Sequence, residues 1–264
     1  MIRRELEYFF AALRFFTRLP APAWVGHSAE QLNHAARYFP LVGVIVGAIG
    51  AGVTLAAALL LPISIAVLLG MVATLLATGA FHEDGLADSV DGFGGGWTRE
   101  DVLRIMKDSR IGSYGAVGIG IALLTKYESL AALGGVLPRG FPPVTSRLTF
   151  VVALIAGHSV SRFASTTLIY ALDYARDDDS SKSKPLATRL GKGELALAAL
   201  FGLAPCLLLP AGQVSIALIA VVFVTLAAAR YFVKRIGGYT GDALGATQQL
   251  TEIAFYLGLL CSSI

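Results

Sequence analysis

Charged side chains are scarce in this sequence. Aspartate, glutamate, lysine and arginine make up only 15% of its 264 residues, against about 25% in an ordinary soluble domain. With a mean hydropathy of +0.69, that shortage excludes water as the main solvent of the chain. Cysteine is nearly absent too. The two present, Cys206 and Cys261, sit in apolar stretches with no CxxC partner and no neighbouring ligand residues, so both are assigned packing roles. The excess of positive charge is small: a formal +3 fits attraction to anionic lipid or anionic substrates but is too weak for nucleic-acid binding. Ile2 to Leu19 lacks the uninterrupted apolar core of a secretory signal.

What the sequence has in quantity is long apolar runs, in blocks of ~20 residues, the length at which a helix spans a bilayer of about 30 Å. The candidate spans are Tyr38 to Leu61, Ile63 to Phe81, Ser113 to Leu137, Leu148 to Leu172, Leu195 to Pro210, Gln213 to Phe232 and Gly245 to Ile264. Glycines recur at small-xxx-small spacing, as in Gly43, Gly47 and Ala51, which lets helices approach closely in lipid. Ahead of the spans, Ile2, Leu6, Phe9, Phe10, Leu13 and Phe16 fall at helical spacing among Arg3, Arg4, Arg14 and Arg18, the pattern of a helix lying in the headgroup layer. The expected fold is all-α: one polytopic membrane bundle over residues 1–264, with about seven spans behind an interfacial amphipathic helix.

A cytosolic amino terminus gathers nearly all loop lysines and arginines on the cytosolic side, including those of Glu83 to Gly112, Asp173 to Glu194 and Val233 to Leu244, and leaves Arg139 and Arg147 outside. This is the positive-inside distribution. The run Asp177 to Lys184 reads as a solvated loop, since adjacent aspartates converge poorly on one ion. Charges inside spans are costly. Arg230 snorkels to the inner surface, Lys126 pairs with Glu128 or lies near an interface, and Arg162 stands in a polar stripe, Gly157-His158-Ser159-Val160-Ser161-Arg162, as a candidate functional residue.

The most informative segment runs His82-Glu83-Asp84-Gly85-Leu86-Ala87-Asp88-Ser89-Val90-Asp91-Gly92-Phe93-Gly94-Gly95-Gly96. If the second span continues as a helix, Asp84, Asp88 and Asp91 lie at i, i+4 and i+7 on one face. Like charges so placed repel unless a cation compensates them; oxygen ligands, with Glu83 beside them and His82 the only nearby nitrogen donor, select magnesium, manganese or calcium over zinc, and magnesium completed by substrate phosphates fits best. The glycines, Gly94 and Gly95 among them, give a bulky anion room to approach. Downstream, Lys107 and Arg110, with Asp108 between them, suit a clamp on phosphoryl oxygens. A second polar island, Gly237 to Glu252, carries Asp242 at its edge and Gln248 and Glu252 at i and i+4, pointing inward to complete the pocket. Glu252, or one of the aspartates, is then a candidate proton acceptor.

These segments resemble the cobalamin synthase (adenosylcobinamide-GDP ribazoletransferase) family. The likeness covers nearly the whole chain. It rests on Phe15-Phe16-Thr17-Arg18-Leu19-Pro20, Tyr38-Phe39-Pro40-Leu41-Val42-Gly43, His82 to Gly92, Lys107-Asp108-Ser109-Arg110-Ile111-Gly112-Ser113-Tyr114-Gly115 and Thr240-Gly241-Asp242-Ala243-Leu244-Gly245-Ala246. The family usually reads His-Leu-Asp-Gly where this chain has His82-Glu83-Asp84-Gly85, so Asp84 is the matching carboxylate. The resemblance implies transfer of adenosylcobinamide phosphate from its GDP ester to alpha-ribazole or its 5'-phosphate, with release of GMP and dependence on magnesium. It places the enzyme in the cytoplasmic (inner) membrane of a prokaryote with its site facing the cytosol. Its partners are those two substrates and the lipid bilayer; a homo-oligomer or a complex with other corrinoid-pathway enzymes stays open.

Two rival readings remain at this stage. A CDP-alcohol phosphotransferase also clusters aspartates near Asp-Gly and Ala, but here Asp88 follows Ala87 where that signature has arginine. A transporter would use Arg162 and Glu252 as an ion path, although the acidic cluster lies at a helix end among glycines rather than at mid-membrane.

Overall fold

The computed structural model describes residues 2–26, 28–135, 143–175 and 189–261. Their regular structure is helical: α1 (Ile2–Phe16), α2 (Ala29–Ala35), α3 (Phe39–Ala57), α4 (Ile63–Thr78), α5 (Phe81–Gly95), α6 (Arg99–Ile105), α7 (Ser113–Gly135), α8 (Pro143–Ala171), α9 (Lys192–Leu203), α10 (Ala211–Ile236) and α11 (Gly241–Cys261). A lone parallel bridge joins Tyr174 to Tyr239. The Asp177 to Lys184 run and the ends of two expected spans, at Leu137 and Ile264, fall outside the described residues.

The small-residue pattern of α3 is used as expected. A methyl group at Gly43 or Gly47 would strike the backbone of His158 or Ile155, so these glycines let α3 and α8 meet backbone to backbone. The central core then forms from α8, α11 and their neighbours around Phe150, Ala156, Val160, Phe255 and Tyr256. Cys206 packs into this core, whereas Cys261 is exposed, so the packing role holds for the first only.

Four helical stretches among the described residues are long and apolar enough to cross a membrane: Glu30–Ala57, Ser113–Gly135, Leu148–Ala171 and Ala211–Ile236, with a fifth if α4 and α5 count as one bent span. This is fewer than the seven expected. The stretch Leu195 to Pro210 folds as the 12-residue α9 followed by a 3-10 turn, and twelve residues rise only about 18 Å. The 21-residue α11 has the length, but Asp242, Gln248, Gln249 and Glu252 lower its hydropathy; apart from Asp242, these polar groups are buried in the bundle interior.

The second expected span is corrected most. It does not continue into the acidic segment: Gly79 and Ala80 both take left-handed backbone angles, φ 66° and 58°, and the chain turns by 87° between α4 and α5. For alanine such an angle costs about 1–2 kcal/mol, so neighbours must hold it. The segment after α1 supplies the brace. Arg18 donates its backbone N–H to Ala77 at 2.8 Å, its side chain packs beside Gly79, and the rings of Phe15 and Phe16 lie edge-on to Phe81. The helix α1 is amphipathic as expected, but its apolar face, with Tyr8, Ala11, Ala12, Leu13 and Phe16, is buried against the bundle rather than left for lipid.

Candidate active site

The acidic segment is one uninterrupted helix, α5, so the i, i+4, i+7 spacing of Asp84, Asp88 and Asp91 holds along it. The three carboxylates nevertheless have different surroundings. Asp84 is exposed, Asp88 half-buried and Asp91 buried. Asp91 accepts hydrogen bonds from the backbone N–H of Gly112 at 2.7 Å and of Gly115 at 2.8 Å. Both its oxygens therefore cap the amino terminus of α7, where orphan amides and the helix dipole favour an anion. Any side chain at Gly112 or Gly115 would collide with this carboxylate, which gives the glycines of that motif a physical reason.

Glu83 is turned inward, 9% exposed; Gln249 donates to its Oε1 at 2.8 Å. The family pattern noted above has leucine there, an interior residue type. Among the described residues, no three His, Cys, Asp or Glu side chains are grouped so as to hold a metal ion. The expected ligand set of Glu83, Asp84, Asp88 and Asp91 is thus not assembled: one member faces the core and another caps a helix.

The second polar island does reach α5. Gly85 packs directly on the first turn of α11, where a methyl group would sit a tight 3.1 Å from the Asp242 backbone and 3.3 Å from Gly245. Deeper in α11, Glu252 is fully buried. Its oxygens meet Lys126 Nζ at 2.7 Å, the amide of Gln248 at 2.7 Å, the Tyr256 hydroxyl at 3.1 Å and His158 Nδ1 at 3.3 Å. Gln248 also donates to Ser161 at 2.9 Å and accepts from Gln249 at 2.7 Å. Polar groups from α5, α7, α8 and α11 thus form one sealed network. Lys126 does not pair with Glu128, which is exposed; residues two apart on a helix point in different directions. Sequence reasoning missed this partner, because only packing of α7 on α11 creates it.

Arg162 is 2% exposed and donates to the His158 carbonyl at 3.0 Å, while its Nε has no hydrogen-bond partner among the described residues. It lines a cavity of ≈ 30 Å³ with Phe15, Phe16, Phe39, His82 and Gly245, room for about two waters. His82 stacks on Phe16 with ring centroids 5.0 Å apart. Four segments far apart in sequence meet here: Phe15-Phe16, Tyr38-Phe39, Phe81-His82 and Gly241 to Gly245. They are four of the five segments that carried the family likeness.

The fifth, after α6, lies at the surface. Lys107, Asp108 and Arg110 are exposed. Arg110 makes a two-pronged pair with Asp108 at 2.8 and 3.0 Å, and these hydrogen bonds hold the Asp108 carboxyl down at about 2. The two glycines expected to face an anion are both exposed, Gly95 near Ile105 and Gly94 packed on the ring of Tyr114.

The cobalamin-5-phosphate synthase profile matches residues 8–260. The chain belongs to that family. Cobalamin-5-phosphate synthase relatives include the adenosylcobinamide-GDP ribazoletransferase of Shewanella frigidimarina, 49% identical over 97% of this chain and 95% of the relative. Those of Shewanella pealeana and Shewanella woodyi are each 46% identical, over 98% and 100% of this chain and 96% and 99% of theirs. No solved structure matches.

Proposed function

We propose that this chain is a membrane-embedded adenosylcobinamide-GDP ribazoletransferase, joining adenosylcobinamide-GDP to alpha-ribazole or its 5'-phosphate with release of GMP. The observation that carries the proposal is identity of nearly half the residues, over almost the full length, with relatives named for that activity. The geometry supports it, since four of the five segments behind the likeness converge around the cavity beside the α5–α11 contact.

In this reading a free hydroxyl on the ribose ring of the acceptor, not its 5' position, attacks the phosphorus that carries the cobinamide. The bond from that phosphorus to the bridging oxygen breaks, and GMP departs with the electron pair. The acceptor's proton leaves by way of the exposed face of α5. Glu252 does not take it, because both its oxygens are already engaged by buried donors. Magnesium fits this face in one form: Asp84 and Asp88, one turn apart, would hold it, since magnesium is commonly bound by one or two carboxylates plus phosphate and water oxygens. When bound it would neutralise charge on the diphosphate. Lys107 adds an exposed cation beside the same loop, and Asp108 keeps Arg110 directed along it. Positive-inside asymmetry supports a cytosolic orientation for this face, as the reading of an inner-membrane enzyme requires.

The test is direct. Purified protein in lipid, given adenosylcobinamide-GDP, alpha-ribazole 5'-phosphate and magnesium, should release GMP and form the 5'-phosphate of adenosylcobalamin. A folded protein that releases no GMP with either acceptor would refute the assignment.

A further inference from the structure

A groove of ≈ 620 Å³ lies between α5, the start of α7, α10 and α11, with walls that include Leu86, Val90, Phe93, Phe223 and Leu250. It is separate from the carboxylate face. On α5 the groove residues Leu86, Ser89, Val90 and Phe93 recur at i, i+3, i+4 and i+7, on the side of the helix opposite Asp84 and Asp88. The flanking helices turn apolar side chains outward, Val117, Ile121 and Leu124 on α7 and Ile219, Val222 and Leu226 on α10. Such surfaces face hydrocarbon, so the groove opens into the bilayer.

Two features set it apart from plain lipid-facing surface. The stripe of α10 that lines it, Val224, Ala227, Ala228 and Tyr231, leads one turn further to Arg235, with Arg230 and Lys234 beside it. The Arg235 guanidinium lies 5.6 and 5.5 Å from the ring centroids of Phe93 and Tyr231, and donates to the Tyr231 hydroxyl at 2.8 Å and the Gly96 carbonyl at 2.7 Å. A cation is thus fixed at the cytosolic end of an apolar channel, with two exposed cations next to it. Within the wall, Ser89 is 2% exposed and its hydroxyl has no partner among the described residues. A buried O–H calls for an acceptor.

We infer that the groove binds one anionic phospholipid of the cytosolic leaflet. Its acyl chain fills the apolar channel, its phosphodiester meets Arg235 in the field of Arg230 and Lys234, and an ester carbonyl accepts from Ser89. Charge complementarity selects this occupant, since juxtamembrane lysines and arginines attract anionic lipid headgroups.

Full-length protein reconstituted in nanodiscs of equal parts phosphatidylglycerol and phosphatidylcholine, then transferred to detergent, can be examined by native mass spectrometry for retained lipid. Phosphatidylglycerol should be kept in preference to phosphatidylcholine. Arg230→Ala with Lys234→Ala should weaken its retention about tenfold, and adding Arg235→Ala by about a hundredfold in all, at roughly a tenfold step per 1.4 kcal/mol of lost attraction. Ala227→Phe, at an exposed groove position with no change of charge, should displace both lipids. Lys192→Ala, a basic residue on α9, should leave retention unchanged. Equal retention of the two lipids, or undiminished phosphatidylglycerol in both the Ala227→Phe and the Arg230/Lys234 variants, would overturn the proposal. So would a dimer that Ala227→Phe dissociates, which would give the groove to a second copy of the chain.

Discussion

The carboxylates of α5 and the carboxylate of α11 share a chemical group and differ in almost everything else. Asp84 stands exposed at the edge of the bundle, while Glu252 is sealed inside it with an ammonium and three further polar partners. An exposed carboxylate costs little to hold and stays available to ligands. A buried one persists only with its partners in place, and those partners occupy its lone pairs. The same chemical group is therefore open to ligands in one place and part of the architecture in the other.

Six substitutions bear on this contrast. The largest effect on stability is expected at Glu252. Glu252→Gln leaves the Lys126 ammonium buried without its counter-charge and should destabilise the fold by about 3–5 kcal/mol, read as a fall in the thermal midpoint in detergent. Adding Lys126→Met should restore part of the loss; strict additivity of the two changes would break the pair. Asp84→Asn and Asp88→Asn should do the reverse, lowering GMP release by about 10–100-fold, the scale for disturbed metal sites, with stability held to within about 0.5 kcal/mol. If either variant unfolds instead, the division between the two regions fails.

Asp91 falls between the extremes. Removing a helix cap costs about 0.5–2 kcal/mol, so Asp91→Ala should lower the midpoint modestly, and any loss of activity should shrink when assays are run well below the transition. A rate that stays lost at low temperature would return Asp91 to the chemistry. The smallest effect concerns Asp108. Its carboxyl is held below the ordinary range, at about 2, chiefly by the Arg110 side chain, so whatever the pair adds to folding is complete above the ordinary value of 3.8 and fades only as pH falls toward 2. Activity from pH 5 upward should show no inflection from it, and Arg110→Ala should raise the titration of Asp108 toward 3.8 when followed by NMR.

Local features of the site were legible in the sequence because they depend on spacing within one helix. The shared face of Asp84 and Asp88, the inward aim of Gln248 and Glu252, and the close packing of Gly43 and Gly47 all follow from helical periodicity. Non-local features were not legible. That Glu252 belongs to Lys126 requires α7 to pack on α11, and that Asp91 caps α7 requires a chain reversal through α6. The break at Gly79-Ala80 was hidden for another reason: alanine is an ordinary helix former, and it takes a left-handed angle here only because Arg18, Phe15 and Phe16 fix the turn from outside. Hydropathy over-counted the spans where an apolar run, such as Leu195 to Pro210, was too short as a helix to cross.

The right-angle turn after α4 has a consequence for the membrane itself. Sixteen residues of α4 rise about 24 Å, short of a hydrocarbon layer of about 30 Å. The helix carrying the exposed Asp84 then follows a helix too short to span an average bilayer alone, a mismatch that local thinning of the lipid would relieve. For the proposed reaction the expected outcome is sensitivity to acyl-chain length: turnover should rise in thin bilayers and fall in thick ones, with the protein equally folded in both.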